Sequence, residues 1–208
     1  MKKRGWIKIG GMLVLLAFLV VASTAASAEQ TFIKGRGALY AEGEGTVFLG
    51  VARGATVMEL TESTVIIHGR SNTLVWADEG DLQRYGNTWI FSGSGELHTR
   101  GWGYHAVVIG EVDRMLATGR GFAFLDGDFE YMTLGWHLVP DIDQELVDKI
   151  DPIVSLAQGV KNGEVTADQD LDNELRDLTK DLVKGAPIQS IGNRPGFLKA
   201  RKRLSKMG

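Results

Sequence analysis

The feature that most constrains this chain is its punctuation by glycine: a Gly-x-Gly pair, five residues, then glycine again. Gly35 and Gly37 lead to Gly43 and Gly45; Gly93 and Gly95 lead to Gly101 and Gly103; Gly119 and Gly121 lead to Gly127. Five residues make one short strand. A glycine at each end permits the positive φ, bulge or close backbone approach that repeated turning of a β chain requires. The same 27 glycines exclude an all-helical bundle, and 44% hydrophobic content with only 4 prolines excludes collagen and disorder.

Between the glycines lie β-branched and aromatic runs at 46–49, 56–60, 64–67, 73–76, 88–91, 106–109 and 122–125. Each reads as a separate strand, and no helical period separates them. The expected fold is therefore mainly β: a duplicated, Gly-punctuated β-sandwich or short β-solenoid over residues 32–138, with copies starting near Gly35, Ser63, Gly93 and Gly119. A nucleotide-binding loop is excluded. Its third glycine would open a helix, whereas Leu39-Tyr40 and Leu97-His98 continue as strand.

After Asp141 the texture becomes helical. Leu146, Val147, Ile150, Ile153, Val154 and Ala157 recur at three- and four-residue spacing, with Asp151-Pro152 expected to kink or restart the helix. Thr166 and Gln169 read as a capping box, followed by a stripe of Leu171, Leu175, Leu178 and Leu182. Residues 141–185 thus form a C-terminal α-helical hairpin, with its stripe packed within the chain.

The two ends carry address signals. Residues 1–28 combine Lys2, Lys3, Arg4 and Lys8 with an apolar stretch from Ile9 to Ala22 and the small-residue site Ala26-Ser27-Ala28, a secretory signal peptide or an uncleaved anchor. Cleavage takes the net charge from −3 to −7. Residues 186–208 form a flexible basic tail with six bases and no acid. Lys199, Arg201, Lys202, Arg203 and Lys206 are its candidate contacts to an anionic partner: cell-envelope polymer, lipid or another envelope protein, with no specific nucleic acid expected.

No catalytic, metal or cofactor residue is assigned. The chain has no cysteine, which removes disulfides, thiolate metal sites and thiol nucleophiles. Asp168, Asp170 and Asp172 have the spacing of a calcium loop without its glycine or closing glutamate, and read as the acidic start of a helix. His68, His98, His105 and His137 lack ligand spacing. Among the aromatics, Trp89 and Trp136 read as core, while Trp102 and Tyr104 are the candidate glycan-stacking residues, Trp102 being set between two glycines.

The stretch Gly35–Gly45, with Gly119–Gly127, resembles a group of uncharacterised exported Gly-x-Gly β-repeat proteins seen mainly in archaea. That resemblance covers about half the chain and implies fold and export, but no activity. The functional expectation is an exported, non-enzymatic surface or envelope-associated module tethered through its basic tail. The alternative is a secreted glycan-binding or glycan-cleaving protein that uses exposed aromatics.

Overall fold

The computed structural model describes residues 30–141 and 144–185. The signal segment at 1–28 and the tail bases Lys199, Arg201, Lys202, Arg203 and Lys206 lie outside the described residues. Five strands, β1 Thr31–His68, β2 Leu74–Ala77, β3 Asp81–Tyr85, β4 Thr88–Gly101 and β5 Tyr104–Leu138, precede two helices, α1 Gln144–Lys161 and α2 Gln169–Gly185. The protein is mainly β, one antiparallel sheet with a helical end.

The strands are longer than the sequence suggests. The runs at 46–49, 56–60 and 64–67 all belong to β1, so glycine bends the strand there without ending it. The pairing reveals how. Thr46 faces Ile109 on one side and Asp126, 17 residues further along the same strand, on the other. Thus β1 has β5 on both edges of its middle, and β4 continues the first edge over residues 54–68. Two long strands coil past one another, and each supplies several rows of the sheet. The glycine copies are therefore not separate modules, because Gly37 of the first pairs with Gly119 of the third.

β1 and β5 pass between two layers as they coil. β1 lies in the first layer at 31–35, 46–51 and 64–68 and in the second at 38–43 and 55–61. Inward side chains from both layers, including Ile33, Leu39, Leu49, Met58, Met115 and Leu125, make one buried core, which is the inside of a sandwich. The outward face of the first layer is apolar as well. Phe48, Ile66, Val107 and Phe122 pack against Ile150, Ile153, Leu171 and Leu175 of the helices in a second cluster. The helical hairpin is thus a third layer on the β core. α1 runs through Pro152 without interruption, and the oxygen capping α2 is that of Asp168, which accepts from the N–H of Asp170 and Leu171; Thr166 is not the cap.

The layer crossings form two lines of glycine across the sheet. One runs through Gly135, Gly37, Gly119, Gly54 and Gly101, the other through Gly127, Gly45, Gly110 and Gly93. Except at Gly93, whose added Cβ would meet nothing nearer than 3.8 Å, the surroundings along these lines are so close that a side chain has no room. A Cβ on Gly54 would sit 2.0 Å from the Thr118 carbonyl oxygen, and one on Gly37 would sit 1.8 Å from that of Leu134. Where the second line lacks a glycine, between Leu60 and Ser63, a bulge and the positive φ of Glu62 make the turn.

Gly54→Ala should therefore lose about 3 kcal/mol or more by urea unfolding, because a backbone carbonyl must move. Gly163→Ala has a φ of +74° but nothing within 4 Å, and should lose only about 1 kcal/mol. Equal losses would contradict the close-approach account.

Candidate functional site

Four arginines stand on the first glycine line: Arg36, Arg53 and Arg100 immediately before its Gly37, Gly54 and Gly101, and Arg120 immediately after its Gly119. In the ladder Arg120 is directly opposite Arg36 on one side and Arg53 on the other. All four line a groove of about 1260 Å³ with Trp102, Asn72, Leu74 and Thr118, and no acidic side chain contributes to its wall. Among the described residues no salt bridge engages Arg36, Arg53 or Arg100. Like charges directly opposite in a sheet repel, and an anion laid over the row would relieve that repulsion. The planar guanidinium makes it suited to carboxylate, sulfate or phosphate.

Trp102 sits in the two-residue turn between β4 and β5, and is 54% exposed. Gly103 continues the turn at a φ of +66°, a region open to glycine, and its N–H donates to the Ala52 carbonyl at 3.0 Å. That bond holds the turn beside the β1 corner, where the Arg53 guanidinium lies over the Trp102 ring at 4.8 Å. Tyr104 is a correction: it is wholly buried, with its hydroxyl 2.7 Å from that of Thr56, so its ring is closed to any ligand. Trp102 lies in the turn outside both strands, whereas Tyr104 opens β5 with its side chain in the core. Burial pushes the Tyr104 hydroxyl up to about 12.

The second glycine line has the opposite charge. Glu42, Glu44, Glu111, Asp113 and Asp128 surround a shallow depression there, and Glu44 is directly opposite both Glu111 and Asp128. About seven residues of strand separate the two lines, roughly 20 Å. The molecule is electrically polar along that direction.

A buried polar group joins α2 to the sheet. The Asp172 carboxylate, fully buried, accepts from the Thr88 hydroxyl at 2.8 Å and the Asn87 N–H at 3.0 Å, and pairs with Arg176 at 2.5 Å. His68 Nδ1 lies 2.9 Å from the Thr88 oxygen. Threonine has one proton, and Asp172 takes its bond, so Nδ1 of His68 donates to Thr88. A nucleophile–base–acid relay needs the histidine in the middle; here the hydroxyl is in the middle and all three groups are buried. The group docks a helix. It also disposes of the calcium reading, since Asp168 caps α2 and Asp172 serves this network.

Among the described residues one set of metal-ligating side chains converges: Asp78, Glu96 and His98, with donor atoms within 4.8 Å of one another. Sequence spacing missed it because Asp78 comes from β2's end and the other two from β4. Glu96 and His98, two apart on a strand, share one face. No protein-family model, curated protein or solved structure matches the chain.

Acid should weaken this fold. Burial lowers the pKa of His105 from 6.5 to about 4, with His68 and Arg70 adding to the effect, and burial also lowers that of His68 against the pull of Asp172. Both are neutral in the folded protein. The stability this reflects is complete above pH 6.5 and is lost as the pH falls toward 4, because the unfolded chain takes up protons that the folded one refuses. For Asp172 burial acts upward, but the hydrogen bonds from Thr88, Asn87 and Arg176 prevail and its pKa is lowered, adding a loss below pH 3.8. Urea unfolding at pH 5 should give about 2 kcal/mol less stability than at pH 7.5 from His105 alone. Unchanged stability would refute the neutral buried histidine.

Proposed function

We propose that the protein is an exported, non-catalytic module of the cell surface or envelope that binds an anionic polysaccharide along its arginine corner. The observation that carries this reading is the cross-strand row Arg36, Arg120 and Arg53 with Trp102 beside it. Cations in register across a ladder repel one another, and an anionic chain laid over them would relieve that repulsion. A row of guanidinium groups fits acidic groups repeated along a polymer, and an exposed indole fits the apolar face of a sugar ring. The groove is concave, which favours an inserted chain over a flat membrane surface. The basic tail, Lys199 to Lys206, serves as a second, less specific tether in this reading, and the signal-like composition of residues 1–28 supports export to where such polymers occur.

The charge of the opposite corner supports a second reading, in which the acidic corner of one copy docks on the arginine corner of the next. Sedimentation at low salt separates the two. Concentration-dependent growth into open-ended multimers favours the second, and a constant mass favours the first.

Retention on immobilised dextran sulfate, with neutral dextran as control, tests the glycan reading. Wild type should be held at low salt and released by a few tenths molar sodium chloride. Arg53→Gln with Arg100→Gln should weaken retention by about tenfold or more, and Trp102→Ala by less. Retention unchanged in the double variant but abolished when the five tail bases become glutamine would move the site to the tail. Equal retention on neutral dextran would overturn the electrostatic basis.

A further inference from the structure

A second site lies on the outer face of the second layer, two ladder rows from Leu74 and Arg100 at the edge of the arginine groove, and its chemistry is different. β2 runs antiparallel to β4 with Trp76 opposite His98, and the Asp78 N–H continues that ladder by donating to the Glu96 carbonyl at 3.1 Å. Asp78 is thus placed across from Glu96, and Glu59 of β1 is across from Glu96 on the other side. Glu59 has its own partner in Arg114. Asp78 and Glu96 have His98 alone between them, at 3.8 Å and 2.7 Å from its Nε2. Two carboxylates opposed across a ladder repel. One imidazole holds them together here, and a bound cation would relieve the repulsion more fully.

We infer that Asp78, Glu96 and His98 form a binding site for a divalent transition ion of the zinc class, with the fourth position open to water or to an external ligand. The donor set is one imidazole nitrogen and two carboxylate oxygens, a mixture that suits zinc and its neighbours more than calcium or magnesium, which take oxygen alone. Tetrahedral zinc with ligand bonds near 2.0–2.2 Å sets its donors about 3.3 Å apart. The separations of 2.7 and 3.8 Å lie on either side of that value, so small rotations of side chains suffice. The imidazole is already oriented. Trp76 stacks on His98 with ring centroids 4.8 Å apart and planes within 6° of parallel. That stack leaves the Nε2 edge toward the carboxylates and fixes the ring without using its donor atom. The side chains of His98 and Glu96 are mostly covered and that of Asp78 is 68% exposed, which gives the ion a solvent side from which to enter. This inference stands whether or not the arginine corner binds a glycan.

The stacked indole makes binding visible, since cobalt(II) accepts zinc's ligands and quenches indole fluorescence at contact range. Calorimetric titration of the full chain with zinc should give one saturable site, and cobalt should quench part of the tryptophan emission in a manner reversed by zinc. His98→Ala and Glu96→Gln should each weaken zinc by about tenfold or more, at least the loss that follows removal of a supporting group around a metal. Trp76→Phe should keep zinc binding by calorimetry and lose most of the cobalt quenching. All three side chains lie on the surface side of the sheet, and circular dichroism should show each variant folded. The inference is overturned by the absence of saturable zinc binding, by zinc affinity unchanged in His98→Ala, which would place the ion on other groups, or by calcium binding as tightly as zinc and unaffected by His98→Ala.

Discussion

The whole architecture depends on the absence of a Cβ at a few places where backbones nearly touch. At Gly37, Gly54, Gly119 and Gly127 the atom that any other residue would carry falls 1.8–2.3 Å from a neighbouring carbonyl oxygen. Removing it lets a hydrogen-bonded strand bend sharply and remain in its ladder. A strand that keeps its partners through a bend can cross from one layer to the next and return, as β1 does four times. Separate short strands would need a loop at each crossing; here the only irregular connections within the β region lie around β2 and β3 and at Trp102–Gly103.

The same construction sorts charge. Many residues next to a corner glycine, such as Arg36, Arg53, Arg100 and Glu44, are carried to the rim of the sandwich, where the side chain reaches solvent. Arginine precedes glycine on one line, while Glu42, Glu44, Glu111, Asp126 and Asp128 flank glycines on the other. Coiling with a 17-residue offset brings Arg36 and Arg53 to the two sides of Arg120. One local dipeptide, repeated, becomes a continuous row of one sign. An acidic corner at the far end would turn the molecule so that its arginines, and not its acids, face any anionic surface it meets.

The fold class was legible because glycine spacing and β-branched runs report strand length directly. Strand continuity was not, since a glycine that bends a strand and a glycine that ends one look the same without the partner backbone. The leucine stripe of α2 was readable: Leu171, Leu175 and Leu182 are buried. Its cap was misplaced from Asp168 to Thr166, because both are good capping residues two positions apart. Trp102 was correctly read as exposed, from its two flanking glycines. Tyr104 was not, because its inward direction follows from a strand register that the sequence leaves open. The arginine groove escaped notice since its successive members are 17 to 47 residues apart along the chain, yet the four Arg-Gly dipeptides of the β region were there to be counted. The Asp78, Glu96 and His98 cluster needed the pairing of β2 with β4, which no local pattern supplies.

Backbone NMR on isotopically labelled protein tests the double pairing of β1 most directly. Cross-strand contacts from Thr46 and its neighbours should reach both Val108–Ile109 and Leu125–Asp126, the two places on β5 that flank it. Contacts to one of these segments alone would mean that β1 has a single β5 neighbour, and the coiled sandwich with its arginine rim would not exist.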